Sequence, residues 1–248
     1  MGRPRKNLAL WFATALLLNA NACQRPAPPR DTTTTSLSAA DILNRCVGVY
    51  QRVASYTAVG TMSDDRGGKA APVSIRWDYE RPNRCRLQIG NEVALVVGDG
   101  WWTMNAQIGD WRKHHQFTRT PIVTAAHLLS RGVPFLTPIL LTKPDRALTY
   151  DNQVGFGAWR LEGADWAGGR PCYVLRRPQH VRDGAGVLRL WIDQDSFVMC
   201  SWSISVPGLD GQDESIVGCT YDVVTVNRPI PPERFKLSTG TTGGIPGG

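Results

Sequence analysis

Six cysteines, four histidines and 21 acidic residues are the groups in this 248-residue chain with the means to do chemistry. The cysteines are Cys23, Cys46, Cys85, Cys172, Cys200 and Cys219. None forms a Cys-x-x-Cys pair, and no histidine stands at zinc-ligand spacing from a cysteine, so zinc and thioredoxin-type chemistry are not indicated. His114 and His115 are adjacent on an expected strand and point to opposite faces, which keeps them from sharing an ion. His127 falls on the surface of an expected helix. Asp64-Asp65 and the pair Asp193 and Asp195 sit at turns, where short carboxylates serve the backbone without catalysis. The chain has no Gly-x-Ser-x-Gly and no nucleophile with a base nearby in sequence. The residues therefore predict no catalytic group, no metal and no cofactor.

Cys23 is the one cysteine with a chemical context of its own. Arg3, Arg5 and Lys6 precede an apolar run from Leu8 to Leu18, too short to span a bilayer as a helix, and then comes Ala20-Asn21-Ala22-Cys23. Residues 1–22 read as a signal peptide. Two endings are open: cleavage after Ala22 to release a soluble exported protein, or lipidation of Cys23 as a bacterial lipoprotein. Residues 23–36 (QRPAPPRDTTTTS ends at Ser36) are rich in Pro, Thr and Arg, with nothing to bury, and suit a flexible tether. The Gly-rich stretch Gly240–Gly248 is expected to be a disordered tail.

Export makes oxidation of some thiols plausible chemistry. Cys200 and Cys219 fall on consecutive expected strands, each on the apolar face, and form the preferred disulfide pair; otherwise they are small buried hydrophobes. The 28 basic and 21 acidic residues give a net charge of +7, but three of the basic ones lie in the leader, which leaves +4 on the rest. The basic residues are scattered rather than clustered, so nucleic acid is not expected as a partner.

The elements that would position these groups are mostly strands. Val73, Ile75, Trp77 and Tyr79 alternate with Ser74, Arg76 and Asp78, and Cys85, Leu87 and Ile89 alternate with Arg84, Arg86 and Gln88. Period-two alternation predicts antiparallel strands with one buried face. Turns are marked at Arg81-Pro82-Asn83, Gly90-Asn91 and Asp99-Gly100. A first strand is expected at Thr57–Met62, a polar turn at Asp64–Lys69, and a strand at Asp110–His114. Five more strands are expected at Ala158–Gly163, Pro171–Arg176, Val187–Asp193, Phe197–Val206 and Ser215–Val226, with turns at Gly168-Gly169, Asp183-Gly184 and Gly208–Gly211. On the fourth of these, Val198, Cys200, Trp202, Ile204 and Val206 are expected to share the buried face. Phe235-Lys236-Leu237 is expected as an edge strand after the prolines.

Leu37–Ser55 predicts a helix with Ser38 and Asp41 as a capping box and a stripe of Ile42, Cys46, Val49 and Val53. Pro121–Ser130 predicts a second helix. Arg131–Asp145, apolar but broken by prolines, predicts short helical turns or a buried loop. About ten one-sided strands and two helices give the expected fold class: mainly antiparallel β, a curved sheet forming a half-open barrel with two or three helices on one face. Residues 37–239 are expected to form one such domain. Its mouth would be an apolar pocket, with tryptophans either lining it or filling the core.

This order of elements resembles the bacterial lipoprotein-carrier superfamily of LolA, LolB and RseB. The motifs that carry the resemblance are Arg81-Pro82-Asn83 at the end of the second strand, Asp99-Gly100-Trp101-Trp102 at a turn, and Gly169–Leu175 followed by Leu190-Trp191-Ile192-Asp193. The chain departs from the carrier at Cys85, where an aromatic residue is usual, and at Glu80, where a basic one is. The resemblance implies a non-catalytic envelope protein, in the periplasm or held at a membrane by a lipid anchor on Cys23. It implies a cavity that holds acyl chains of lipids or lipoproteins, with Arg81 hydrogen-bonding across the mouth. On that expectation Trp77, Tyr79, Leu87, Ile89, Leu95, Val97 and Trp102 join Arg81 as ligand-binding residues. The alternative is a sensor or interaction module of the same fold that binds an envelope protein partner.

Overall fold

The structure, a computed structural model, describes residues 37–64, 71–114, 121–129, 136–144, 158–181, 184–207 and 213–237. The expected leader, tether, Cys23 and Gly-rich tail lie outside these residues, as do His115, the turn at Gly208–Gly211 and most of the turn at Asp64–Lys69. The described chain runs α1 (Ala39–Gln51), β1 (Ser55–Asp64), β2 (Val73–Glu80), β3 (Arg84–Ile89), β4 (Glu92–Val97), β5 (Gly100–Asn105) and β6 (Trp111–His114). Then come α2 (Pro121–Leu129), α3 (Leu136–Thr142), β7 (Arg160–Ala167), β8 (Arg170–Val181), β9 (Gly184–Asp193), β10 (Met199–Pro207), β11 (Asp213–Val226) and a 3-10 helix at Pro232–Phe235.

Eleven strands form one sheet in the order β6-β5-β4-β3-β2-β1-β11-β10-β9-β8-β7, every pair antiparallel. The edges β6 and β7 do not pair with each other, so the sheet stays open, as a half-open barrel requires. It consists of two meanders joined where β11 returns to β1, with α2 and α3 in the crossover. The sequence reading of the fold class therefore stands, with eleven strands for about ten and three helices among the described residues.

α1 begins as its capping box dictates: Asp41 N–H donates to Ser38 Oγ (3.1 Å) and Ser38 N–H donates to Asp41 Oδ2 (3.1 Å). Its buried stripe is Ile42, Leu43, Cys46, Val47 and Tyr50. Val49, expected on the stripe, is only half-buried, because positions 42/43, 46/47 and 50 follow the 3.6-residue period more closely. The main core lies between the helices and one face of the sheet. It includes Tyr56, Trp77, Tyr79, Leu87, Trp101, Trp202 and Tyr221.

Three local features depart from the sequence reading. Phe235-Lys236-Leu237 is not an edge strand: Pro231 and Pro232 start a 3-10 turn, and Phe235 is buried beside β3 with Arg84 over its ring at 5.1 Å. On β10 a bulge between Met199 and Ser201 shifts the register against β9, so Met199 joins the main core and Cys200 turns to the other side. On β11, where alternation predicts Val217, Cys219, Tyr221 and Val223 on one face, the register against β1 slips between Val59 and Gly60, which leaves Val223 half exposed and brings Val224 and Val226 against the core. A Cβ on Gly60 would overlap the Thr220 carbonyl, so this close approach requires glycine.

The opposite face of the sheet is not wet throughout. Asp78 is fully buried there although it alternates with Trp77 and Tyr79. Arg76 Nε (3.0 Å) and Arg234 Nη2 (2.6 Å) both donate to Asp78 Oδ2, so the 3-10 helix is latched to β2 by a paired charge. Burial alone would raise the Asp78 carboxyl, but the two guanidinium hydrogen bonds hold it below the usual carboxylate range.

Candidate functional site: a cleft below Arg81

The two-residue turns of the first meander decide which side chains can reach the helix side. Across the Gly90-Asn91 turn, Cys85 opposes Val96 and Leu87 opposes Ala94; across Gly98-Asp99, Val96 opposes Trp101. Directly opposed residues share a face. Ala94, Val96 and Trp101 therefore point to the helices, and Leu95, Val97 and Trp102 point away.

The consequence for the eight residues expected to bind ligand is a division into three groups. Tyr79 and Arg81 line an open cleft. Trp77, Leu87 and Ile89 are packed in the main core. Leu95, Val97 and Trp102 lie on the far face, where Leu95 opposes Arg86, and Lys113 Nζ sits 5.9 Å from the Trp102 ring centroid.

The cleft has a volume of about 410 Å3, within the range of small-molecule sites. Its apolar wall comes from Tyr79 on β2, Val96 on β4, Ile122 on α2 and Leu141 on α3. Its rim is polar or cationic: Gln51 at the end of α1, Arg81 and Asn83 in the β2–β3 turn, and Thr142 and Lys143 after α3. The Arg81-Pro82 peptide is cis. Sequence reasoning missed Val96, Ile122 and Leu141. The paired turns would have placed Val96 opposite Cys85; the helix residues carried no such signal.

A chain of hydrogen bonds closes one end of the cleft. Arg81 Nη2 donates to the Tyr50 carbonyl at 2.9 Å, in the last turn of α1, where a cation also meets the negative end of the helix dipole. The Tyr79 hydroxyl donates to the Leu141 carbonyl at 3.1 Å on α3. Burial raises the Tyr79 hydroxyl above its usual range, while the charge of Arg81 and its hydrogen bond pull the other way. α3 has a second tether in the 2.8 Å hydrogen bond between Thr137 Oγ1 and the Tyr221 hydroxyl. Arg81 thus connects the β2 end, α1 and, through Tyr79, α3.

Directly between α1, α3 and the sheet the structure is nearly full. The hollow beneath Leu43, Cys46, Val47, Leu140 and Trp159 measures about 10 Å3, the size of one water at most. Of these two spaces the larger, about 410 Å3, is the one at the mouth, where the pocket is expected.

The remaining chemical candidates take structural positions. His114 stacks on Trp101 with centroids 3.8 Å apart and shares a 2.8 Å hydrogen bond with Thr103 Oγ1. His127 is exposed. Asp193 Oδ1 accepts from the Asp195 and Ser196 backbone N–H groups (3.1 and 2.7 Å) and closes the β9–β10 turn. Among the described residues no group of three or more His, Cys, Asp or Glu side chains could hold a metal. Cys200 and Cys219 are free thiols on opposite faces: Cys219 is in the main core opposite Trp202, and Cys200 lies in a separate cluster. The expected pairing is not made here, and the bulge that turns Cys200 outward is the reason.

No family model and no curated protein matches the chain. Among solved structures the chain is similar to MucB, at 15% identity and a TM-score of 0.44 over 80% of this chain and 62% of MucB. It therefore spans less than two thirds of that relative. It is also similar to the lipoprotein LppX of Mycobacterium tuberculosis, at 14% identity and a TM-score of 0.43 over 78% of this chain and 99% of LppX. A LolA superfamily protein from Nitrosomonas europaea is similar at 12% identity and a TM-score of 0.32, over 81% of this chain and 98% of the other. Each is a likeness at low identity with a TM-score below 0.5.

Proposed function

We propose that this chain is an exported, non-catalytic protein of the cell envelope that binds an acyl chain of a lipid or lipoprotein, and that the chain enters at the cleft below Arg81. The observation that carries the reading is the cleft itself: about 410 Å3, apolar on its walls and cationic at its rim. An acyl chain would lie against Val96, Ile122 and Leu141, while a polar head would meet Arg81 and Lys143. The bonds from Arg81 to α1 and from Tyr79 to α3 give the mouth a latch whose release would widen the cleft toward the core. Cleavage after Ala22 or lipidation of Cys23 places the chain in the periplasm or on a membrane surface, and residues 37–239 form the binding domain.

A second reading has its own support. The hollow under α1 is only about 10 Å3, so the sheet and helices are packed as an interaction module would be. In that reading the chain binds an envelope protein rather than a lipid.

Native mass spectrometry of the full chain purified from membranes separates the two. The lipid reading predicts a co-purified lipid adduct that is lost on delipidation, and the same spectrum reads the mass of an acylated Cys23. Spectra with no lipid adduct under gentle conditions would contradict lipid binding.

A further inference from the structure

Cys172 and Cys200 occupy a buried pocket that the proposed lipid site does not use. On β8, Tyr173 and Leu175 pack on the main core; on β9, Leu190 and Ile192 do; on β10, Met199 does. Cys172 next to Tyr173, Trp191 between Leu190 and Ile192, and Cys200 next to Met199 therefore face the other side, where Cys172, Cys200 and Ala167 form a small cluster with Trp191 against it. Both cysteines are fully buried. β8 and β10 are separated by β9 in the sheet, yet Cys172 stands opposite Asp193, the last residue of β9, and Cys200 is the extra residue of the β10 bulge. The bulge puts Cys200 on the same face as Cys172, and the two share one buried cluster at the end of β9.

Cys172 Sγ donates to the Arg170 carbonyl (3.5 Å) and Cys200 Sγ to the Val198 carbonyl (3.9 Å), and the neighbouring Cys200 thiol, with burial, raises Cys172 above the ordinary thiol range. The neighbouring Cys172 thiol, helped by the charge of Arg170, draws Cys200 below it despite its burial. The other three core thiols behave differently. Burial pushes Cys46 and Cys219 up to about 12 and raises Cys85 as well, which leaves all three unreactive.

We propose that Cys172 and Cys200 form a redox-active pair that closes to a disulfide in an oxidising compartment and staples β8 to β10 across the end of β9. The oxidant is a disulfide of the glutathione class. While the chain folds and both thiols are still accessible, the Cys200 thiolate attacks one glutathione sulfur and releases the first glutathione thiol. The Cys172 sulfur then attacks Cys200 in the mixed disulfide and releases the second. The two protons given up by the protein thiols end on the two glutathiones, and the two electrons that reduce glutathione disulfide come from the protein pair. The staple would fix the β7–β8 turn, whose Gly168 presses against the Tyr221 carbonyl on β11. The inference does not depend on lipid binding.

The test is to refold the full chain in a mixture of reduced and oxidised glutathione, quench with acid, alkylate and map the peptides by mass. The expected product is about 2 Da lighter than the reduced chain, with Cys172 linked to Cys200 and with Cys46, Cys85 and Cys219 alkylated. Its thermal midpoint falls on reduction, and in separate Cys172→Ser and Cys200→Ser variants the midpoint no longer responds to reductant. Alkylation of both Cys172 and Cys200, or a link joining Cys200 to Cys219 or to any partner but Cys172, overturns the proposal. The peptide map uses the unmodified protein, so it decides even where a variant fails to fold.

Discussion

One guanidinium, that of Arg81, anchors the cleft, and a second pair, those of Arg76 and Arg234, anchors the far face. The second case yields a pH prediction. Asp78 is fully buried and accepts from both arginines, and its carboxyl is held below the usual range. A lowered folded-state pKa contributes stability that is present above the unfolded value, about 4, and is lost as pH falls through the folded value. The thermal midpoint should therefore fall as pH drops below about 4. Asp78→Asn should cost about 1–3 kcal/mol near neutral pH, since it removes the charge that both arginines meet. It should also flatten the acid limb. An unchanged acid limb in the variant would mean that other carboxylates govern acid unfolding.

At the scale of elements, the turns set the faces and the bulges reset them. The alternation of Val73, Ile75, Trp77 and Tyr79 and of Cys85, Leu87 and Ile89 was legible, and all are buried except Val73, which is exposed at the start of β2. The capping box at Ser38 was legible because it is a local exchange of hydrogen bonds within one turn. β4 was not, because Val93, Ala94, Leu95 and Val96 are all buried and a run apolar on both faces has no readable phase. The two-residue turns on either side fix that phase, which is why Leu95, Val97 and Trp102 were assigned to the wrong side of the sheet. Met199 and Cys200 exchanged faces for another reason: a bulge inserts one residue and nothing in the alternation announces it. The β7–β8 turn offers a direct check on element packing. Gly168 has φ +55° and a Cβ there would overlap the Tyr221 carbonyl, whereas Gly169 has φ +72° with open space around it. Gly169→Ala should cost about 1 kcal/mol for the left-handed backbone alone. Gly168→Ala should cost at least about 2 kcal/mol, and equal losses in urea melts would show that the turn does not bear on β11.

The described residues form an open antiparallel sheet with helices on one side and a cleft at one end of that side. The fold class was readable because one-sided strands must curl over something and the amphipathic helix at the start of the chain supplied it. The position of the cleft was not, since it depends on α3 ending beside the β2–β3 turn, and α3 comes from a proline-broken segment without a clear period. The account's central claim is that this cleft takes an acyl chain under Arg81. Titration of the full chain with a fluorescent fatty acid tests it most directly, with Thr142→Trp to fill the cleft and Arg81→Ala to release the latch. The account predicts saturable binding to the parent protein, loss of binding by about tenfold or more in Thr142→Trp, and dissociation about tenfold faster in Arg81→Ala. No saturable binding, or binding that Thr142→Trp leaves unchanged, would contradict it.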